Sequence, residues 1–243
     1  MKKIIYVLLC SALTYFGCNT EQIAENKVVN LYEELNDTQD PQTTFKILAL
    51  GDSYTIGASV CESCKFPEQL KAQLESHFGT DYNFDLKVIA ATGWTTTNLI
   101  NAIEDENPED SYDLVTLLIG VNNQYQNKPF TLYETEFPEL VNTAINLGKK
   151  DKNNCIVISI PDYAYTPFGN GNRNISAAID KYNNFAENYC ISKGITYVNI
   201  TAITRLGLDQ PELVALDGLH PSELAYSRFV DLIFPYAIDK LKS

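Results

Sequence analysis

The sequence predicts an α/β fold: a three-layer αβα sandwich with a central five-stranded parallel sheet. Three observations carry this. Five short apolar runs recur at residues 45–50, 86–91, 114–119, 155–160 and 195–200. They are nearly continuous rather than alternating, as strands buried on both faces are. Helical periodicity fills each gap, and strand and helix alternating five times specify a parallel sheet covered by helices on both faces. With 243 residues and 45% hydrophobic content, the chain is long enough for one sizeable core.

The elements follow in order. Lys2 and Lys3 form a positive start, and residues 4–16 are an apolar run of 13 residues. That run is too short to span a bilayer but suits the core of a secretory signal. It ends at Gly17-Cys18 and is followed by polar residues, a pattern similar to a bacterial lipoprotein signal in which Cys18 becomes the lipidated first residue. Tyr15 and Phe16 depart from that pattern, and an ordinary cleaved signal with Cys18 incidental is the alternative. The expected organisation is therefore a signal peptide over 1–17, a lipid-anchored tether over 18–44 and a catalytic domain over 45–243. Export places the chain in the bacterial cell envelope, held to a membrane only through its N-terminal anchor.

Within the body, Phe66, Leu70, Leu74 and Phe78 repeat every four residues behind Pro67, which suits a first helical turn. Residues 99–103, 137–147 and 175–190 supply the next helices. A last helix is expected from about 221 to 241, with Ala225, Phe229, Leu232, Ile233 and Tyr236 on one face and a kink at Pro235.

In parallel sheets, ligands bind beyond the carboxyl ends of the strands. Ser53 follows the first run, Gly93 the second and Asn122 the third, while Asp217 and His220 lie in the loop after the fifth. The topology thus converges Gly51-Asp52-Ser53 and Asp217-Gly218-Leu219-His220 on one rim, although they are more than 160 residues apart. Serine, imidazole and carboxylate are the nucleophile, base and orienting group of acyl-transfer chemistry. The chain has only two histidines. The other, His77, ends a helix beside Gly79, where a cation suits the helix dipole. Each fragment alone is an ordinary turn sequence; the signal lies in their order and in the strand each one follows.

These residues resemble the SGNH hydrolases, also called GDSL esterases and lipases, over about residues 45–241. The blocks match Gly51-Asp52-Ser53-Tyr54, Gly93 in Ala91-Thr92-Gly93-Trp94, Gly120-Val121-Asn122-Asn123, and Asp217 to His220. Asn123 stands where the family pattern has Asp. The resemblance implies a flavodoxin-like sheet and Ser53, Asp217 and His220 as catalytic residues. It also implies an oxyanion hole from the N–H groups of Ser53 and Gly93 and the amide of Asn122. Asp52, Trp94, Asn123 and Tyr125 are the candidate substrate contacts, and residues 161–168 a candidate substrate wall. Asp162 also lies on this rim, but Asp217 has the better spacing to His220.

The expected activity is a serine esterase acting on acylated carbohydrates or on small or lipid esters, without cofactor or metal. Acyl transfer to a sugar hydroxyl and a non-catalytic surface-binding lipoprotein are the alternatives. A net charge of −13 argues against a nucleic-acid partner. Cys61 and Cys64 are expected to form a loop disulfide, since zinc would require two more ligands and no second pair has the spacing. Cys155 and Cys190 fall on apolar patterns and are expected as buried thiols.

Overall fold

The structure is a computed structural model that describes residues 43–242. The signal, Cys18 and the tether up to Gln42 lie outside the described residues. The five strands are β1 (Thr43–Gly51), β2 (Tyr82–Ala90), β3 (Leu114–Leu118), β4 (Cys155–Ile158) and β5 (Thr196–Val198). They form one sheet in the order β2-β1-β3-β4-β5, parallel throughout. The interleaved helices are α1 (Ser53–Ile56), α2 (Phe66–Phe78), α3 (Thr96–Glu106), α4 (Val121–Tyr125), α5 (Phe130–Leu147), α6 (Arg173–Lys193), α7 (Thr201–Thr204) and α8 (Glu223–Leu241). Helices α2 and α8 pack together as one layer, and α3, α5 and α6 pack side by side as the other.

The central strands match the apolar runs, because β3 and β4 are buried at every position. The edges differ. β2 begins at Tyr82, four residues before the expected start. As an edge strand it buries only part of each face, so its first half alternates. Phe84 is buried there, and Tyr82 stacks on Phe45 at 5.4 Å. This pairing also draws Thr43 and Thr44 into β1, opposite Tyr82 and Asn83. β5, the other edge, keeps only three residues, and the Asn199 carboxamide accepts from Thr201 N–H to start α7.

The starts of α3, α5 and α6 fall earlier than apolar spacing predicts, while α8 starts two residues later than expected. α3 opens at Thr96 because Thr95 and Asn98 cap one another reciprocally. α5 opens directly after Pro129 and contains Pro138, and α8 runs unbroken across Pro235. Cys61 and Cys64 are disulfide-bonded in the loop before α2. Cys155 and Cys190 are buried thiols, and burial pushes both up to about 12. The His77 ring lies edge-on to Phe78 and Phe234, at the end of α2.

Gly51, at the end of β1, is a tight point of this framework. A Cβ there would overlap the Thr55 hydroxyl and lie 2.5 Å from the Leu118 carbonyl oxygen. Gly51→Ala is therefore expected to destabilise the domain by about 1–3 kcal/mol, as overpacking does. Urea denaturation followed by circular dichroism measures it.

Candidate active site

The site is assembled at the carboxyl ends of β1, β2 and β3. A cleft of about 180 Å³ is lined by Ser53, Gly93, Asn122 and His220, with Tyr125, Tyr163, Phe168 and Leu219 among its walls. Ser53 is the first residue of α1, so its N–H has no partner within the helix. The preceding Asp52 caps that helix by accepting from Tyr54 N–H at 3.0 Å.

Asp217 and His220 sit in a tightly tied loop. Ala215 N–H donates to the His220 carbonyl at 2.8 Å, and Ser222 N–H to that of Leu213 at 3.0 Å. His220 Nδ1 lies 2.6 Å from Asp217 Oδ2, which commits Nδ1 to the carboxylate and leaves Nε2 as the second ring nitrogen. Asp217 Oδ1 accepts from the N–H groups of Leu219 and His220 at 2.9 and 3.0 Å. The Tyr54 ring packs 5.3 Å from the imidazole.

The two carboxylates beside the cleft have opposite fates. Burial alone would raise Asp217. The hydrogen bonds from His220, from Ser59 and from the two backbone N–H groups outweigh it and hold Asp217 well below the usual carboxylate range. Asp52 is fully buried, and its Oδ2 has no geometrically sound hydrogen bond. Desolvation pushes its carboxyl up to about 7, against the smaller downward pull of Tyr54 N–H and the Asn122 side chain.

Residues 93–96 are fastened to α4 at three points. Gln126 Nε2 donates to the Gly93 carbonyl at 2.8 Å, and Asn122 Nδ2 donates to that of Trp94 at 3.0 Å. Asn123 Oδ1 accepts from Thr96 N–H at 3.0 Å while its Nδ2 donates to Thr96 Oγ1 at 2.6 Å. Thr96 Oγ1 in turn donates to Glu136. Gly93 itself has φ of 83°, a left-handed conformation that favours glycine, and nothing stands within 4 Å of where a Cβ would be. The Asn122 amide has a second N–H beyond the one given to Trp94.

The candidate residues thus separate. Ser53, Gly93, Asn122 and His220 meet in the cleft, with Asp217 behind the imidazole. Of the four candidate substrate contacts only Tyr125 lines it. Asp52 and Asn123 are fully buried and serve as helix cap and brace. Trp94 packs against the core and lends its carbonyl. Asp162 is buried in an ion pair with Arg205 at 2.9 Å and makes no hydrogen bond to His220. Tyr163 and Phe168, from the segment expected as a substrate wall, line the cleft, whereas Leu219 was not singled out from the sequence. Sequence reasoning missed Ser59, which donates to Asp217 Oδ2 at 2.6 Å.

Fold and rim together define an α/β ester hydrolase. Residues 49–228 match the GDSL-like Lipase/Acylhydrolase family, and the chain belongs to it. Among solved structures it resembles TesA, with a TM-score of 0.63 and 16% identity over 81% of this chain and 99% of that one. It also resembles an acetyl xylan esterase from Geobacillus stearothermophilus, solved in a variant form (TM-score 0.60, 16% identity, 81% and 96% covered). A third is the esterase EstA from Pseudoalteromonas sp., inhibited by monoethylphosphonate (TM-score 0.57, 16% identity, 82% and 99% covered). A search of curated proteins finds no match to the sequence.

The raised Asp52 carboxyl makes stability depend on pH. Its folded value, about 7, lies above the 3.8 of an exposed carboxyl, so the folded state holds the extra proton between them. The contribution is complete below the lower value and is lost as pH rises through 7. Asp217, depressed in the fold, acts only below its unfolded value and leaves this window alone. Asp52→Asn keeps a capping oxygen and removes the titration. Between pH 4.5 and 8 the variant is expected to gain stability relative to the parent by on the order of 3 kcal/mol. Urea midpoints at the two pH values measure it.

Proposed function

We propose that the protein is a serine esterase in which Ser53, His220 and Asp217 act through an acyl-enzyme. One observation carries the reading: Ser53 and His220 line the same cleft, with the Nδ1 of His220 already committed to Asp217. His220 Nε2 takes the hydroxyl proton as Ser53 Oγ attacks the ester carbonyl carbon. The tetrahedral oxyanion is received by the N–H groups of Ser53 and Gly93 and by the Asn122 amide. Collapse breaks the bond to the alkoxide, which leaves with the proton from the imidazolium. Water then repeats the sequence against the acyl-serine, returning Ser53 and releasing the acid. The scheme requires no cofactor.

The cleft also speaks to substrate. It is small and mostly apolar inside, while Tyr125 and Phe168 are each 53% exposed and their rings lie 6.1 Å apart. A short acyl group fits the interior, and a flat ring face at the mouth suits stacking on the apolar face of a sugar. We therefore favour short acyl esters of carbohydrates, an alcohol class that the resemblance to an acetyl xylan esterase also suggests. We further infer that the enzyme is exported and anchored in the bacterial envelope through Cys18. The support is the run from Lys2 to Cys18 together with the loop disulfide.

A fluorophosphonate probe is expected to label the purified enzyme and to lose all labelling with Ser53→Ala. Labelling that survives the substitution, or is absent from the parent, overturns the serine mechanism. Asn122→Ala is expected to lower kcat by about 10²–10³-fold with KM nearly unchanged. In an ester panel, acetylated xylan and p-nitrophenyl acetate are expected to be turned over well ahead of octanoate esters and lysophospholipid; adding free sugar acceptor separates hydrolysis from transfer by the products formed. Expression in a bacterial host with labelled palmitate is expected to mark the full chain but not Cys18→Ala.

A further inference from the structure

We propose that Ser59 is a positioning residue for Asp217: its hydroxyl sets how strongly that carboxylate draws on the His220 imidazole. The proposal rests on the Ser53–His220–Asp217 reading above and goes beyond it. Ser59 Oγ donates to Asp217 Oδ2 at 2.6 Å, and this is the oxygen that meets His220 Nδ1, also at 2.6 Å. The two donors therefore share one oxygen, while the other oxygen is occupied by backbone N–H groups. All of the acceptor capacity of Asp217 is directed, and Ser59 is the one contributor from outside the 213–222 loop.

The geometry behind Ser59 is constrained. Its φ is +69°, a left-handed conformation uncommon for a residue with a side chain. The chain leaving α1 turns at once, with the N–H groups of Gly57 and Ala58 both donating to the Ser53 carbonyl at 3.1 and 2.9 Å. Beyond Ser59, the Cys61–Cys64 disulfide closes the loop, and the buried Lys65 reaches Glu62 at 2.5 Å. One short segment thus carries both the nucleophile and the hydroxyl that holds the carboxylate. A serine that merely decorated this exposed loop would need neither the left-handed turn nor the cross-loop bond.

The chemical consequence has a sign. A hydrogen bond to Oδ2 draws negative charge from the oxygen that faces the imidazole. Removing it leaves Asp217 a stronger partner for the imidazolium formed during the reaction, which moves the acid limb of kcat/KM upward. It also frees the carboxylate to turn. Other titratable groups face the pair. Tyr54 packs on the imidazole, Tyr226 interacts with Asp217 and Asp52, and Tyr163 lines the cleft. Burial pushes all three tyrosines up, so they stay neutral across the working range. Asp52 is the group that titrates in the same range.

The test is the pH dependence of kcat/KM for p-nitrophenyl acetate with Ser59→Gly and Ser59→Ala, each repeated in an Asp52→Asn background. Glycine accepts the positive φ, so Ser59→Gly removes the hydroxyl without loading the backbone. Expected are a fall in kcat of about fivefold, KM within about twofold, and an acid limb moved up by about half a pH unit in both backgrounds. Thermal melting of Ser59→Gly is expected to match or exceed the parent. An unmoved acid limb overturns the proposal, whether kcat falls or not, since a fall alone assigns Ser59 to loop packing. If Ser53→Ala keeps activity, the underlying mechanism falls and this inference with it; if it is inactive while Ser59→Gly behaves as the parent, only this inference falls.

Discussion

Gly51 faces Ala90 of β2 on one side and Leu118 of β3 on the other, in parallel register. The site depends on that alignment. Three adjacent strands end at one level, so the residues two, three and four positions further on arrive at neighbouring points: Ser53, Gly93 and Asn122. Parallel pairing makes this possible, because every chain leaves the sheet in the same direction. Antiparallel pairing would have sent β2 off the opposite rim and removed Gly93 from the site. The absence of a Cβ at Gly51 lets Thr55 fold back over the strand end, which brings the start of α1 onto the sheet.

On this frame, Asn123 and Asp52 show two ways in which buried polarity is handled: one is matched, the other is left with an unpartnered oxygen directly before Ser53. Asn123 supplies one acceptor and one donor, and Thr96 offers one donor and one acceptor to meet them. A carboxylate at the same position would have faced the Thr96 hydroxyl with a second acceptor, and that hydroxyl already donates to Glu136. The amide therefore fits this chain's own surroundings, and the departure from the family pattern has a local cause. Asp52 is the second case. Its Oδ2 lies buried without a sound partner immediately before Ser53, whereas Asp217 gathers four donors. Hydrogen bonding thus keeps Asp217 ionised, while burial holds the proton on Asp52 up to a pH of about 7.

The central strands and the four motif blocks were legible because burial on both faces erases alternation and because each block directly follows a strand. Legibility fell where burial was partial. Tyr82 and Phe84 lengthen β2 through contacts with Phe45 that apolar spacing alone does not display. Helix starts at Thr96 and Phe130 were set by caps and by Pro129 rather than by the apolar stripe. Trp94 attracted a binding role because it adjoins Gly93, yet the left-handed turn at Gly93 sends the chain away and the indole packs on the core. Ser59 left no trace in the sequence, since nothing local connects an exposed serine with a carboxylate 158 residues away. Contacts across loops of that separation are decided by tertiary structure alone.

The cleft wall and the base are also joined. Phe168 N–H donates to the Gly218 carbonyl at 3.0 Å, between Asp217 and Leu219, and the Tyr163 hydroxyl donates to Gln124 on α4 at 2.7 Å. The aromatic wall is therefore tied at one end to the loop that carries Asp217 and His220, and at the other to the helix that carries Asn122. On the proposed reading, a substrate ring resting on Phe168 and Tyr125 would press on a segment hydrogen-bonded both to the 213–222 loop and to α4. Binding energy gained away from the ester would then help hold the proposed base and oxyanion donors in register, the way remote contacts raise turnover rather than affinity. On the proposed esterase reading, that linkage would let the alcohol part of the substrate influence the rate at which its acyl part reacts.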